Sequence, residues 1–378
     1  MERIAYLDNA ASSPLRPETV EAFSASLETY ANPSAIHALG QEARKRVETA
    51  RVSVAALVGA DVSEIVFTSG ATEANNLALR GILESLLNAG ERPHAITTAL
   101  EHASVLKTFE SLAARGLELT IVAPGKDGVV RVEDILSAVR AETMLVSVIA
   151  ASNELGSRQP VEAIGKALAA LPHKPFFHVD AVQAVVSTDI TMSSTRADVL
   201  TISAHKIGGP KGVGALVIRR GVKLAPLLTG GGHESGLRSG TENVPGILGF
   251  GAASEALQRA RVSEIERYQK LRARFLEALP SGAKALLSPE TPVAPHVVTI
   301  ECLGKENDWI VLLLSRVGVM TAAGSACKSG SREASLIVKA LGLDDARAKS
   351  VVRISFGWAS EEKDVDLCID ALRNALAR

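Results

Sequence analysis

The sequence predicts an α/β protein: a seven-stranded, mostly parallel sheet in a large domain, followed by a smaller α+β domain at the C-terminal end. Three observations predict it. Between about residues 50 and 220, short β-branched apolar runs alternate with helical patterns, as βα units on a parallel sheet do. Glycines then cluster at Gly230, Gly231, Gly232, Gly236 and Gly240, and a long charged helical pattern follows over 252–279. Finally, 378 residues, 47% of them hydrophobic, suffice for one large core and a smaller one.

Taken in order, the chain begins with the extended stretch from Tyr6 to Ala11, closed by Pro14 and Pro17, which suits an arm over residues 1–14 that packs on the small domain. Strands are expected at 64–68, 94–98, 117–122, 143–150, 175–179, 199–203 and 214–218. The domain boundary falls inside the 252–279 helix, which makes 15–254 the large domain and 255–378 the small one.

Composition narrows the function classes. With 41 basic and 42 acidic residues the net field favours neither nucleic acid nor an anionic membrane, so a small-molecule substrate is expected. Apolar runs such as 144–151 are too short to span a bilayer, and the N-terminus lacks a basic segment followed by an apolar one, so a cytoplasmic protein is expected. The three cysteines, Cys302, Cys327 and Cys368, are odd in number and far apart, which fits neither a disulfide framework nor a metal cluster. Cys302 and Cys368 lie in apolar patterns and read as core residues. Cys327 lies instead in a run of small residues, with Lys328 and Arg332 nearby to favour a thiolate.

The chemistry-bearing residues fall at strand ends. Lys206 follows the apolar run 199–203; ligands of open parallel sheets bind beyond the carboxyl ends of strands, and a partly desolvated lysine there can react with an aldehyde. Asp180 ends another such run, where a carboxylate can hold a pyridinium nitrogen protonated, though an acid after a strand is more often a helix cap. Gln183 stands three residues further on, placed to donate to a ring hydroxyl. The 26 residues from Asp180 to Lys206 fit one βα crossover, which brings both to one sheet edge. From Thr68 to Glu73 a strand turns into a helix, whose first N–H groups and the Thr72 hydroxyl offer a phosphate site, or an ordinary capped helix. His102 also follows a strand, and in a chain with only 3% aromatic residues its imidazole is a plausible partner to stack on a ring and move protons. Arg353, inside the strand pattern Val351 to Phe356, needs an anion to be buried, either a substrate carboxylate or an internal salt bridge.

From Tyr6 to about Gly357 these segments, in this order, resemble the cysteine desulfurases of the class V aminotransferase group, pyridoxal-5′-phosphate (PLP) enzymes of fold type I. The resemblance implies Lys206 as the Schiff-base lysine, Asp180 on the pyridine nitrogen, Gln183 on the ring oxygen and His102 over the ring. It implies phosphate contacts from Ala71, Thr72, Ser203 and His205, with Thr241 reaching across from the second subunit of a homodimer. Asn153, Arg353 and Asn32 correspond to substrate-holding residues, Asn153 also bordering the cofactor, and Cys327 to the nucleophile that takes sulfur from L-cysteine as a persulfide and passes it to an acceptor protein. That acceptor could serve iron–sulfur cluster assembly, tRNA thiolation, DNA modification or a vitamin pathway. The chain departs from the family's usual pattern at Ser152, Ala204, Ser235 and across 328–336, without losing a catalytic group. Two other readings stay open: another PLP lyase on the same scaffold, acting on selenocysteine for example, and a cofactor-free scaffold for sulfur-handling partners.

Overall fold

In the computed structural model, residues 4–324 and 335–377 are described. The large sheet has the seven expected strands: β2 (Ile65–Thr68), β3 (His94–Thr98), β4 (Glu118–Val122), β5 (Thr143–Ile149), β6 (Phe176–Asp180), β7 (Val199–Ser203) and β8 (Gly214–Ile218), after a short β1 (Ala5–Tyr6) in the arm. Their order across the sheet is β2-β8-β7-β6-β5-β3-β4. All neighbours are parallel except β8, which runs antiparallel to both β2 and β7. The central strands are buried almost throughout, as helices on both faces of a parallel sheet require. After β4 the chain returns to the other side of β3 to lay down β5, so the order reverses there, and the crevice at such a reversal is where open α/β sheets bind ligands.

Past the large sheet lies an antiparallel sheet of order β12-β10-β9, made of β9 (Ala283–Ala285), β10 (Val297–Cys302) and β12 (Val351–Ser355). In the arm, β1 pairs with β11 (Val319–Met320), and Asp8 bridges to Ser355. The chain then crosses to the large sheet, where Ser13 N–H donates to the His205 carbonyl and Arg16 N–H to that of Gly208. The buried Arg16 guanidinium grips Glu264 through two bonds of 2.7 and 2.8 Å, and its Nε donates to the Ile207 carbonyl at 2.7 Å. The arm, the turn after β7 and the long helix are thereby locked together. That helix, Val244–Glu277, begins eight residues before the expected 252. Its first turns hold glycines that read as loop but serve close packing: a Cβ on Gly251 would stand 2.8 Å from the Ala50 Cα of helix α2 (Ala38–Leu57). Cys302 and Cys368 are fully buried, as their apolar patterns predict. Among the described residues, no helix is long and apolar enough to cross a membrane.

Candidate active site

A cavity of about 460 Å³ opens at the carboxyl edge of the large sheet, walled by the segments that follow β2, β3, β5, β6 and β7 and by the arm. It gathers Ala71, Thr72, His102, Asn153, Asp180, Gln183, Ser203, His205, Lys206 and Arg353, ten of the thirteen residues singled out from the sequence. Lys206 ends a single 3-10 turn (Ala204–Lys206) directly after β7, and its Nζ donates to the carbonyls of Ala10 at 2.7 Å and Ala11 at 2.8 Å. The arm thus forms part of the wall around the lysine.

Asp180, 2% exposed at the end of β6, accepts from the Val182 N–H at 3.1 Å and from Asn75 Nδ2 at 2.9 Å. Asn75 is a fully buried residue of helix α3 (Ala71–Asn88) that sequence reasoning passed over. Its signal was a polar residue between Ala74 and Leu77, on the helix face that the sheet covers. Gln183 donates from Nε2 to the Ala10 carbonyl at 2.9 Å and meets His296 with Oε1. His296, too, was not singled out.

At the start of α3 the chain turns on Gly70, whose φ of 148° disfavours any side chain, and the N–H groups of Ala71, Thr72 and Glu73 have no acceptor within the helix. His205 faces the same end of the cavity, where burial, with Lys206, Lys211 and His102 beside it, pushes its imidazole down to about 3. Unpaired N–H groups at a helix N-terminus, with Lys206 and Lys211 lining the same cavity, suit a phosphate. His102 is the N-cap of helix α4 (Ala103–Ala113): its Nδ1 accepts from the Ser104 N–H at 3.1 Å, so a neutral ring carries its proton on Nε2. The capping role and the place in the cavity wall therefore coexist.

Three buried atoms on the wall, Ser203 Oγ, Asn153 Oδ1 and Arg353 Nε, have no hydrogen-bond partner among the described residues. Buried polar atoms are costly when unpaired, so the cavity is built for a polar occupant. With a carboxylate at one strand end, a lysine at the next and an anion cradle beside them, the residues present fit PLP. Arg353 also has the internal partner weighed against a substrate carboxylate: Asp8 Oδ1 at 2.7 Å, with the Asn153 carbonyl at 2.8 Å.

Glu101, next to His102, is 1% exposed; its Oε1 accepts from Thr98 Oγ1 and the Ile149 N–H, both at 2.8 Å, and Oε2 has no partner among the described residues. Burial, aided by the nearby Asp180 charge, holds its carboxyl well above the usual range against those two bonds. A carboxyl whose folded pKa is raised contributes most below its unfolded pKa and loses that contribution as pH rises through the folded one. Glu101→Gln is therefore expected to raise the melting temperature at neutral pH and to leave it nearly unchanged near pH 4; thermal melts at the two pH values check it.

Asn32 and Thr241 do not line this cavity. Both are exposed, beside Pro33, Ser34 and Glu242, which border a separate groove of about 680 Å³ between α2 and the 232–235 turn. That groove is the larger of the two but holds none of the strand-end residues. Cys327 lies outside the described residues, as do Lys328 and Arg332.

The sequence profile of the family described as Aminotransferase class-V matches residues 5–368. A cysteine desulfurase IscS of Dictyoglomus turgidum is 38% identical over 381 residues, which cover 100% of this chain and 96% of that protein. The solved structure of a NifS-like protein superposes with a TM-score of 0.92 at 33% identity, covering 99% of this chain and 100% of that one. That of SspA in complex with cysteine does so with a TM-score of 0.79 at 32% identity, covering 93% and 98%. With a PLP-shaped site at the expected sheet edge and likeness over its full length, the chain belongs to the class V aminotransferase family and, within it, to the PLP-dependent cysteine desulfurases.

Proposed function

We propose that this cysteine desulfurase converts L-cysteine to L-alanine by moving the substrate's sulfur onto Cys327. The carbon–sulfur bond breaks, an S–S bond forms between the substrate sulfur and the Cys327 thiolate, and the Cβ of the former cysteine takes up a proton. Cysteine plus enzyme thiol thus becomes alanine plus enzyme persulfide, with atoms and electrons balanced. The observation that carries the reading is the convergence of Lys206, Asp180 and the N-terminus of α3 on one cavity.

PLP supplies an electron sink when bound there. Ala71, Thr72, Ser203 and His205 hold its phosphate, and Asp180, fixed by Asn75 and the Val182 N–H, keeps a proton on the ring nitrogen. Asn153 and Gln183 border the ring, and Arg353 offers its unpartnered Nε toward the substrate carboxylate. Lys206 Nζ and His102 Nε2 move protons at the substrate's carbons and nitrogen. The arm holds the Lys206 ammonium through the carbonyls of Ala10 and Ala11.

We place the division into large and small domains inside the long helix, at 254/255, with arm 1–14 on the small side. Asn32 and Thr241 are exposed and outside their own chain's cavity, so their roles require a second copy of the chain, and a homodimer is part of the proposal. The persulfide passes to an acceptor protein, and the enzyme works in the cytoplasm.

The purified protein is expected to be yellow, and to release alanine and sulfide in equal amounts from L-cysteine in the presence of a thiol reductant. A colourless protein that PLP does not reconstitute, or one that releases sulfide without alanine, contradicts the reading.

A further inference from the structure

We propose that His296 is a positioning residue for the desulfurase reaction: together with the Ala10 carbonyl it holds both ends of the Gln183 side-chain amide, in the orientation that leaves an N–H for the ring oxygen of the cofactor. The proposal rests on the PLP reading of the cavity and concerns a residue far from it in sequence. Gln183 could in principle turn its amide either way, but the Ala10 carbonyl at 2.9 Å only accepts, so the NH₂ group must face it. Oε1 then faces His296 Nε2 at 3.1 Å and can only accept, so His296 must carry its proton on Nε2. Nδ1 is left as an acceptor, and Ser187 Oγ donates to it at 2.7 Å. One tautomer and one amide orientation satisfy the whole chain of bonds. Turning the amide over would set two acceptors together at Ala10 and would force His296 into the other tautomer, with Ser187 Oγ accepting from Nδ1.

The imidazole is 1% exposed and stands just before β10, where its own carbonyl accepts from the Phe356 N–H. Burial, with Arg353 and Lys206 as the charges that act on it, pushes it down to about 3; Tyr268 packs beside it with ring centroids 6.1 Å apart. His296 therefore stays neutral across the working pH range, and the bond to Gln183 does not switch. The Gln183 amide spends one N–H on Ala10, and the other remains for an occupant of the cavity it lines.

A donor to the ring oxygen sets the pH at which the visible absorption band of the bound cofactor changes, so that midpoint reports the orientation of Gln183. Holoenzymes of the wild type, His296→Leu, His296→Gln, Gln183→Leu and the double variant His296→Leu with Gln183→Leu are titrated by absorbance. His296→Leu is expected to move the midpoint by about half a pH unit or more. His296→Gln, which keeps an amide donor, is expected to bring it back, and in the Gln183→Leu background the leucine at 296 is expected to add nothing. An unmoved midpoint in a folded, loaded His296→Leu protein overturns the proposal, as does an equal shift in both backgrounds. If His296→Leu does not fold, His296→Met takes its place, since it fills the space with a side chain that cannot donate to Gln183 Oε1. A shift there that vanishes with Gln183→Leu supports the proposal, and no shift overturns it. A wild type without the band would overturn the cofactor reading and this proposal together, whereas a wild type with the band and an unmoved variant overturns this proposal alone.

Discussion

Lys206→Ala is expected to lose the visible cofactor band and to lower turnover of L-cysteine by at least about 10³-fold, the scale of losing both a covalent anchor and a general base. The expectation follows from where the lysine stands. It leaves β7 at the carboxyl edge of the sheet, one strand from Asp180, in the cavity that the N-terminus of α3 also lines. Among the described residues the one other lysine that lines the cavity is Lys211, which lies beyond the turn at Gly208. The substitution also removes the bonds from Nζ to the carbonyls of Ala10 and Ala11, so some loosening of the arm accompanies it. The two effects are separable. Lys206→Arg keeps a cation and donors near those carbonyls but no usable nucleophile, and is expected to be as inactive as the alanine variant while melting closer to the wild type. Addition of a small primary amine is expected to restore part of the turnover of Lys206→Ala and none of its thermal stability. Turnover within ten-fold of the wild type in either variant would remove Lys206 from the mechanism.

Much of this site was legible because its residues sit where strands end, and strand ends are marked by the loss of apolar periodicity. β3, β7 and β8 match the expected 94–98, 199–203 and 214–218 to the residue. β2 starts at Ile65 rather than 64 because Glu64 closes a 3-10 turn over Val62–Glu64, capped by Asp61. What stayed hidden is the set of residues defined by partners far away in sequence. Asn75 matters because it meets Asp180, 105 positions on, and His296 because it meets Gln183, 113 positions back. The apolar neighbours of Asn75 mark a polar residue on a buried face but not its partner, and nothing local marks His296. Arg353 shows the intermediate case: its cost of burial was readable, while its partner Asp8 was not, since the arm that brings Asp8 is placed by pairing between β1 and β11.

Cys327→Ser is expected to keep the cofactor band and to lower sulfide release from L-cysteine by at least about 10²-fold, because an alcohol is a far poorer acceptor of sulfur than a thiolate. The described cysteines cannot stand in for it. Cys302 is fully buried on β10, where burial pushes its thiol up to about 12, so it stays a protonated thiol at pH 7. Cys368 is equally buried and its thiol is raised further by the same cause. Neither is in the cavity wall. Cys302→Ala and Cys368→Ala are accordingly expected to turn over at the wild-type rate and to lose about 1–2 kcal/mol of stability through the space they vacate. Alkylation gives an independent reading: native protein is expected to have one fast thiol per chain, absent in Cys327→Ser, with the other two reacting only on unfolding. Selenocysteine separates the remaining alternative, since a lyase that expels selenium without the enzyme thiol keeps that activity in Cys327→Ser. Cysteine turnover that survives the substitution would sink the persulfide step, while a lost band would show that the serine had disturbed the cavity itself.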